Sequence, residues 1–255
     1  MMPVTDMQRH FLRFTGIAGI IGAICWIIGD MLIVGSHATP DEYPLLLQRY
    51  AGAIDFGGLS SMLPASEPRL AAGALIANFA IPFYLAASCH LYVVARPAGR
   101  VLATLVFLLM LCGNAYSPLA HGAFYFVGMV YKAMLNVPQE AYPAFLELGQ
   151  QFNRVLLIAY LAADILLFCG MALLAVITAR GYSLYPRWFA AIINPVTLLL
   201  VAHVLPHLAP HPVCSWLNGA GINIAFLLAY GLSTFYLWKE RGVQRAFTIP
   251  PSVAA

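Results

Sequence analysis

Long apolar runs alternate with short polar breaks along the chain, and the length of the runs sets the scale of the elements. A helix that crosses a hydrocarbon core of about 30 Å needs about 20 apolar residues. Six segments meet this requirement: Phe11–Val34, Leu70–Ala95, Val101–Tyr131, Val155–Ala179, Trp188–Leu208 and Val213–Trp238. Each is apolar on all sides, as a helix among lipid and other helices is, and lacks the stripe of a soluble surface helix. The third is long enough to tilt or to extend past the bilayer. Arg9 and Arg13 precede the first and Ser36-His37-Ala38 follows it, yet its apolar run exceeds the roughly 7–15 residues of a signal-peptide core, so it reads as a helix. The expected fold is all-α: a polytopic membrane bundle of six transmembrane helices forming one domain over residues 1–255.

Positive charge sets the expected orientation. With the N-terminus inside, Arg9, Arg13, Arg96, Arg100, Arg180, Arg187, Lys239, Arg241 and Arg245 lie on the inner side, nine of the 13 basic residues. Arg49, Arg69, Lys132 and Arg154 remain outside, and both termini are cytoplasmic in this reading. The outer loops, Gly35–Arg69 and Lys132–Arg154, are long. Tyr43–Tyr50 in the first has the composition of a short interfacial helix. In the second, Asn136 is the expected N-cap and Pro138 the expected helix start, with Phe145, Leu146 and Leu148 as an apolar stripe. Loops of this length serve as lids or binding elements when they occur in compact proteins. No internal repeat of the inverted-transporter kind is visible.

Composition agrees and narrows the function classes. The chain is 62% hydrophobic and 9% charged, against about 25% charged residues in ordinary soluble domains. Its 13% aromatic content excludes a disordered chain. A net charge of +3 without a basic run excludes a nucleic-acid surface. No phosphate-binding glycine loop is present. Cys25, Cys89, Cys112, Cys169 and Cys214 have no paired spacing, and the expectation is buried, unreactive thiols.

The polar residues inside the apolar runs carry the functional information. A charge at the bilayer centre costs about 2.5–3.5 kcal/mol on insertion scales, so such groups face partners or cavities. Asp30 is in the first run, His121 in the third, Asp164 in the fourth, and His203 and His207 close the fifth. Asp30 and His37 are seven residues apart, as are Asn114 and His121, with Ser117 between the latter two; Asn153, Tyr160 and Asp164 likewise share a face. His203 and His207 stand four apart, a spacing at which two imidazoles can share one ligand. Counted from the outer ends, His121, Asp164 and His203 reach similar depths, which points to one outward-facing pocket of His, Asp and Asn. Pro118 and Pro206 break helical hydrogen bonds beside these clusters. Asn78, Asn194 and Asn223 read as interhelical links.

The order Ser117-x3-His121, Asp164, His203-x3-His207 resembles the motif set of the CREST membrane hydrolases. That resemblance implies zinc held by His121, His203 and His207, Asp164 as general base at the metal-bound water, and Ser117 positioning that water or an oxyanion. Zinc would supply an activated water, and the substrate would be a lipid-like amide or ester. The stretch from Asn218 through Ser233 to Trp238 is similar to uncharacterised bacterial six-helix membrane proteins of a domain-of-unknown-function type, which implies a bacterial inner membrane. Asp30 and Asp164 among many aromatics also resemble the small membrane-bound terpene cyclases. Three classes stand open: a zinc-dependent membrane hydrolase; a protein that binds or transports a small amphipathic or cationic molecule in a pocket that adds Asp30, His37, Asn114, Tyr160 and Asn223; and an accessory or structural membrane protein. Membrane lipids are partners in all three.

Overall fold

The computed structural model describes residues 6–210 and 213–238. Lys239, Arg241 and Arg245, used above for orientation, lie outside these residues. Among the described residues the chain forms helices and no strands, and the all-α bundle stands.

The long helices are α1 (Asp6–Val34), α3 (Glu67–Phe79) running into α4 (Ile81–Ala95), α5 (Arg100–Ala133), α6 (Tyr142–Ala179) and α10 (Gly221–Trp238). Short helices α2 (Leu59–Met62), α7 (Ala190–Ile193), α8 (Pro195–Val204) and α9 (Val213–Leu217) complete the order. Among the described residues five spans are long and apolar enough to cross a membrane, counting α3 and α4 as one; Arg187–Ile193 with Pro195–Leu208 makes a sixth if the bent pair is a single span. These apolar helices fit a multi-pass membrane protein.

Two expected boundaries change. Trp188–Leu208 is broken rather than continuous, with a bend of 47°. Pro195 cannot donate to the preceding turn, and Asn194 leaves helical geometry (φ −73°, ψ 151°) to cap α8, its Oδ1 accepting from Thr197 N. Asn194 caps α8 while its Nδ2 donates to the carbonyls of Ala190 and Ala191 on α7, so it links the two halves of the bend. We expect Asn194→Ala to cost about 1 kcal/mol, the usual value of such a cap, measurable as a lowered unfolding midpoint.

The second change concerns Lys132–Arg154. It is mostly helix: α5 runs to Ala133, Asn136 sits in a 3₁₀ turn, and α6 starts at Tyr142 with Pro143 in its first turn and no side-chain cap. At 1.5 Å per residue, the 38 residues of α6 measure about 57 Å, nearly twice the hydrocarbon thickness of about 30 Å. If the basic ends Arg13, Arg100 and Arg180 mark one membrane boundary, about 20 residues bring α1 to Ile33, α5 to Ala120 and α6 to Tyr160 at the other. Beyond that level α5 continues for about 20 Å and α6 for about 27 Å.

The packing has the same two storeys. One hydrophobic core joins Leu12, Trp26, Tyr84, Val106, Met171 and Tyr230 within the bundle. A second, formed by Leu46, Phe56, Met62, Val127, Tyr131, Met134 and Leu156, lies at the opposite end, the outer one if the basic ends are inside. This outer cap consists of the projecting α5/α6 hairpin and the folded loop 35–66, whose expected interfacial helix is present as a short π-helical turn at Leu45–Arg49.

Lys132 fastens the loop, donating to the carbonyls of Leu63 (2.8 Å) and Ala65 (2.6 Å). From α6, Gln150 Nε2 donates to Ala53 O (2.9 Å) and Asn153 Nδ2 to Asp55 O. Bonds from a charged donor contribute about 1.5–3 kcal/mol. Lys132→Met should accordingly raise the rate of proteolytic cleavage within 50–66 roughly tenfold or more, by favouring local opening.

Candidate functional site

A cavity of about 360 Å³ occupies the junction of the two storeys. Its walls come from five helices: Trp26 and Asp30 on α1, Tyr84 on α4, Asn114, Ser117, His121 and Phe124 on α5, Tyr160 and Asp164 on α6, and Asn223 and Phe226 on α10. His203 on α8 joins from the side, and Gly57, Gly58 and Ser61 of the loop form the roof.

The helical steps read from the sequence account for much of this. Asn114, Ser117 and His121 share a face of α5 because the helix continues through Pro118. Pro118 leaves the Asn114 carbonyl without its helical donor; one residue earlier, Ser117 Oγ donates to the Gly113 carbonyl at 2.9 Å. Tyr160 and Asp164, four apart on α6, both reach the cavity. Asn114 Nδ2 also donates to Ser88 Oγ (3.3 Å), tying α5 to α4.

The two acids differ sharply in their surroundings. Asp30 is enclosed: Asn223 Nδ2 donates to its Oδ2 at 2.8 Å, and His121 Nε2 lies 3.2 Å from its Oδ1. A carboxylate only accepts, so His121 carries its proton on Nε2. Tyr84 Oη donates to Asn223 Oδ1 at 2.8 Å and extends the chain to α4. Trp26 packs its ring 4.9 Å from the His121 ring, and Tyr84 lies 6.1 Å from Trp26. Asp30 thus holds α1, α5, α10 and α4 together. Asp164, half-buried and facing the cavity, has no hydrogen-bond or ion-pair partner among the described residues. Around it stand Tyr160 and Phe124, whose rings are 6.0 Å apart.

Other expected pairings are corrected. Asp30 does not pair with His37, because α1 ends at Val34 and the seven-residue step needs a continuous helix. His37 is exposed in the loop and does not line the cavity. His203 and His207 do not meet at the cavity: His203, on α8, lines it, while His207, in the 3₁₀ turn Pro206–Leu208 beyond the end of α8, is exposed and does not. Among the described residues no three His, Cys, Asp or Glu side chains stand together as metal ligands. The ligand set His121, His203 and His207 is therefore not assembled, and His121 is already engaged with Asp30. The residues present do not fit the zinc centre that the hydrolase resemblance implies, and no step is derived through it.

The sequence reading missed the aromatic walls, Trp26, Tyr84, Phe124 and Phe226, and the roof glycines. Trp26 stands one helical turn before Asp30, which was a usable signal. It also missed a closed polar cluster at the inner end. His90, fully buried, accepts at Nε2 from Ser233 Oγ (2.6 Å), since its Nδ1 donates to the Leu12 carbonyl (3.1 Å). Tyr185 Oη lies 2.5 Å from Ser233 Oγ. All three side chains are buried in this cluster, which links α1, α4, α10 and the inner loop.

A family model, a family of unknown function designated DUF6796, matches residues 7–240, and the chain belongs to that family. No curated protein and no solved structure matches it.

Proposed function

From membership in a family without an assigned activity, we propose that this chain is a membrane binding protein for a small organic cation, held in the junction cavity without covalent chemistry. The observation that carries this reading is the contrast between the two acids. Asp30 has its hydrogen bonds met inside the protein, whereas Asp164 presents a carboxyl group to an aromatic cavity with no protein partner among the described residues. A carboxylate beside Tyr and Phe faces is the counter-group that an ammonium recruits, through charge and through the ring quadrupole. The volume of about 360 Å³ lies within the range of small-ligand sites, about 300–1,000 Å³. Catalysis by a metal-bound water has no three-ligand set to support it among the described residues.

The test uses primary alkylamines of rising chain length on the purified protein. At a concentration a hundred times its Kd, a ligand stabilises by about 2.7 kcal/mol, which raises the unfolding midpoint by about 5–10 °C for a domain of this size. Asp164→Asn should abolish the shift. If no amine in the series moves the midpoint of the wild type, the reading fails.

A further inference from the structure

The way into the cavity identifies the kind of cation. From the aqueous side the cavity lies beneath Gly57, Gly58 and Ser61, in a loop that Lys132, Gln150 and Asn153 hold down. The side wall is built differently. The bend at Asn194 turns α8 onto α10, while α7, nearer the inner end, keeps the contact with α6. Toward the outer end α6 and α8 barely touch. Tyr160 on α6 and His203 on α8 both line the cavity and both keep exposed surface, Tyr160 39% of its area. Their neighbours Leu157, Leu161, Leu200 and Val204 are exposed apolar side chains of the kind that face lipid.

Depth completes the picture. With Arg180 at the inner boundary, about 20 residues place Tyr160 at the outer one, and Asp164, one turn further in, about 6 Å below it. A polar head attached to an acyl or alkyl chain rests at that level. A carboxyl group waiting just under the boundary, behind a gap flanked by lipid-facing leucines, is placed for a head that arrives sideways with its chain still in the bilayer.

Resting on the binding reading above, we propose that the ligand is a single-chain cationic amphiphile that enters from the outer leaflet between α6 and α8. Its ammonium head meets Asp164 and its chain remains along the α6–α8 gap. The aqueous roof stays shut during entry.

The experiment places the protein in phosphatidylglycerol nanodiscs and compares dodecylamine with ethylamine, which share a head and differ in chain. A dodecylamine carrying a mid-chain diazirine marks where the chain lies. Dodecylamine is expected to raise the unfolding midpoint by several degrees, with ethylamine at tenfold higher concentration giving no shift. Labelling should fall on α6 and α8 around Tyr160 and His203, and His203→Trp, which fills the gap, should cut it at least fivefold without lowering the midpoint of the empty protein. Equal shifts with both amines, or labelling confined to the loop and the projecting parts of α5 and α6, would overturn lateral entry while leaving the cation reading intact. Absence of any shift with either amine overturns both.

Discussion

Replacing Asp30 by leucine is expected to lower the unfolding midpoint of the solubilised protein by about 6–12 °C, while Asp164→Leu leaves it unchanged or raises it. The reasoning rests on what each carboxyl group touches. Leaving a buried hydrogen-bond donor unmet typically costs about 1–3 kcal/mol. Here two donors are stranded, His121 Nε2 and Asn223 Nδ2, on two different helices. Taking about 3 kcal/mol for the two together, and about 2–4 °C per kcal/mol for a domain of this size, gives the stated drop. Asp164 strands nothing among the described residues, and leucine there adds apolar surface beside Phe124 and Leu167. The same pair of variants separates the acids by function, since only the Asp164 change should remove the response to amines. Equal losses of stability in both variants would show that Asp164 is a packing residue and would remove the basis for the binding site.

Gly29→Leu should be more damaging still, to the point that little folded monomer survives size-exclusion chromatography. A Cβ on Gly29 would lie 2.8 Å from the Gly73 carbonyl oxygen and 2.8 Å from Ala77 Cβ, and a Cβ on Gly73 would lie 2.8 Å from the Gly29 carbonyl oxygen. At this crossing the α1 and α3 backbones meet directly, the close approach that small residues permit in membrane bundles. Overpacking ordinarily costs about 1–3 kcal/mol. The cost here should exceed that range, because the neighbouring atoms are a backbone oxygen and an alanine Cβ, which no rotamer change can move. Gly19 makes a related but softer contact, its Cβ position 2.6 Å from the ring of Tyr230. Gly231 on α10 is the control: nothing lies within 4 Å of its Cβ position, so Gly231→Ala should be neutral or stabilising by up to about 1 kcal/mol through helix propensity. If Gly29→Leu and Gly231→Ala behave alike, the α1–α3 crossing is not as tight as described.

Much of the bundle can be read from hydropathy, and its errors share one cause. Hydropathy marks where a helix can meet lipid, not where a helix begins. Pro143, Gln150 and Asn153 end the apolar run of the fourth segment, yet α6 passes through them without interruption because helix geometry continues into water. The cap was for this reason read as a loop. The fifth segment fails the other way: Pro195 sits inside an apolar run, and the run hides a bend that aims α8 away from α6. The candidate site was half legible. Helical steps within α5 and α6 correctly gathered Asn114, Ser117, His121, Tyr160 and Asp164 on the cavity. Steps carried past a helix end, from Asp30 to His37 and from His203 to His207, gave pairings that do not exist.

What the sequence determined alone is the medium and the set of informative residues. With 62% hydrophobic and 9% charged side chains, the chain belongs in lipid, and each polar group inside a run must have a partner or a cavity. Which of those two applied to which acid was decided only in three dimensions. The partners of Asp30 lie 91 and 193 residues away, on helices whose own periodicity fixes their faces but not the helix each face meets. That choice depends on close crossings such as Gly29 against Gly73 and on the bend at Asn194, which pack one acid into the bundle and leave the other at an open seam.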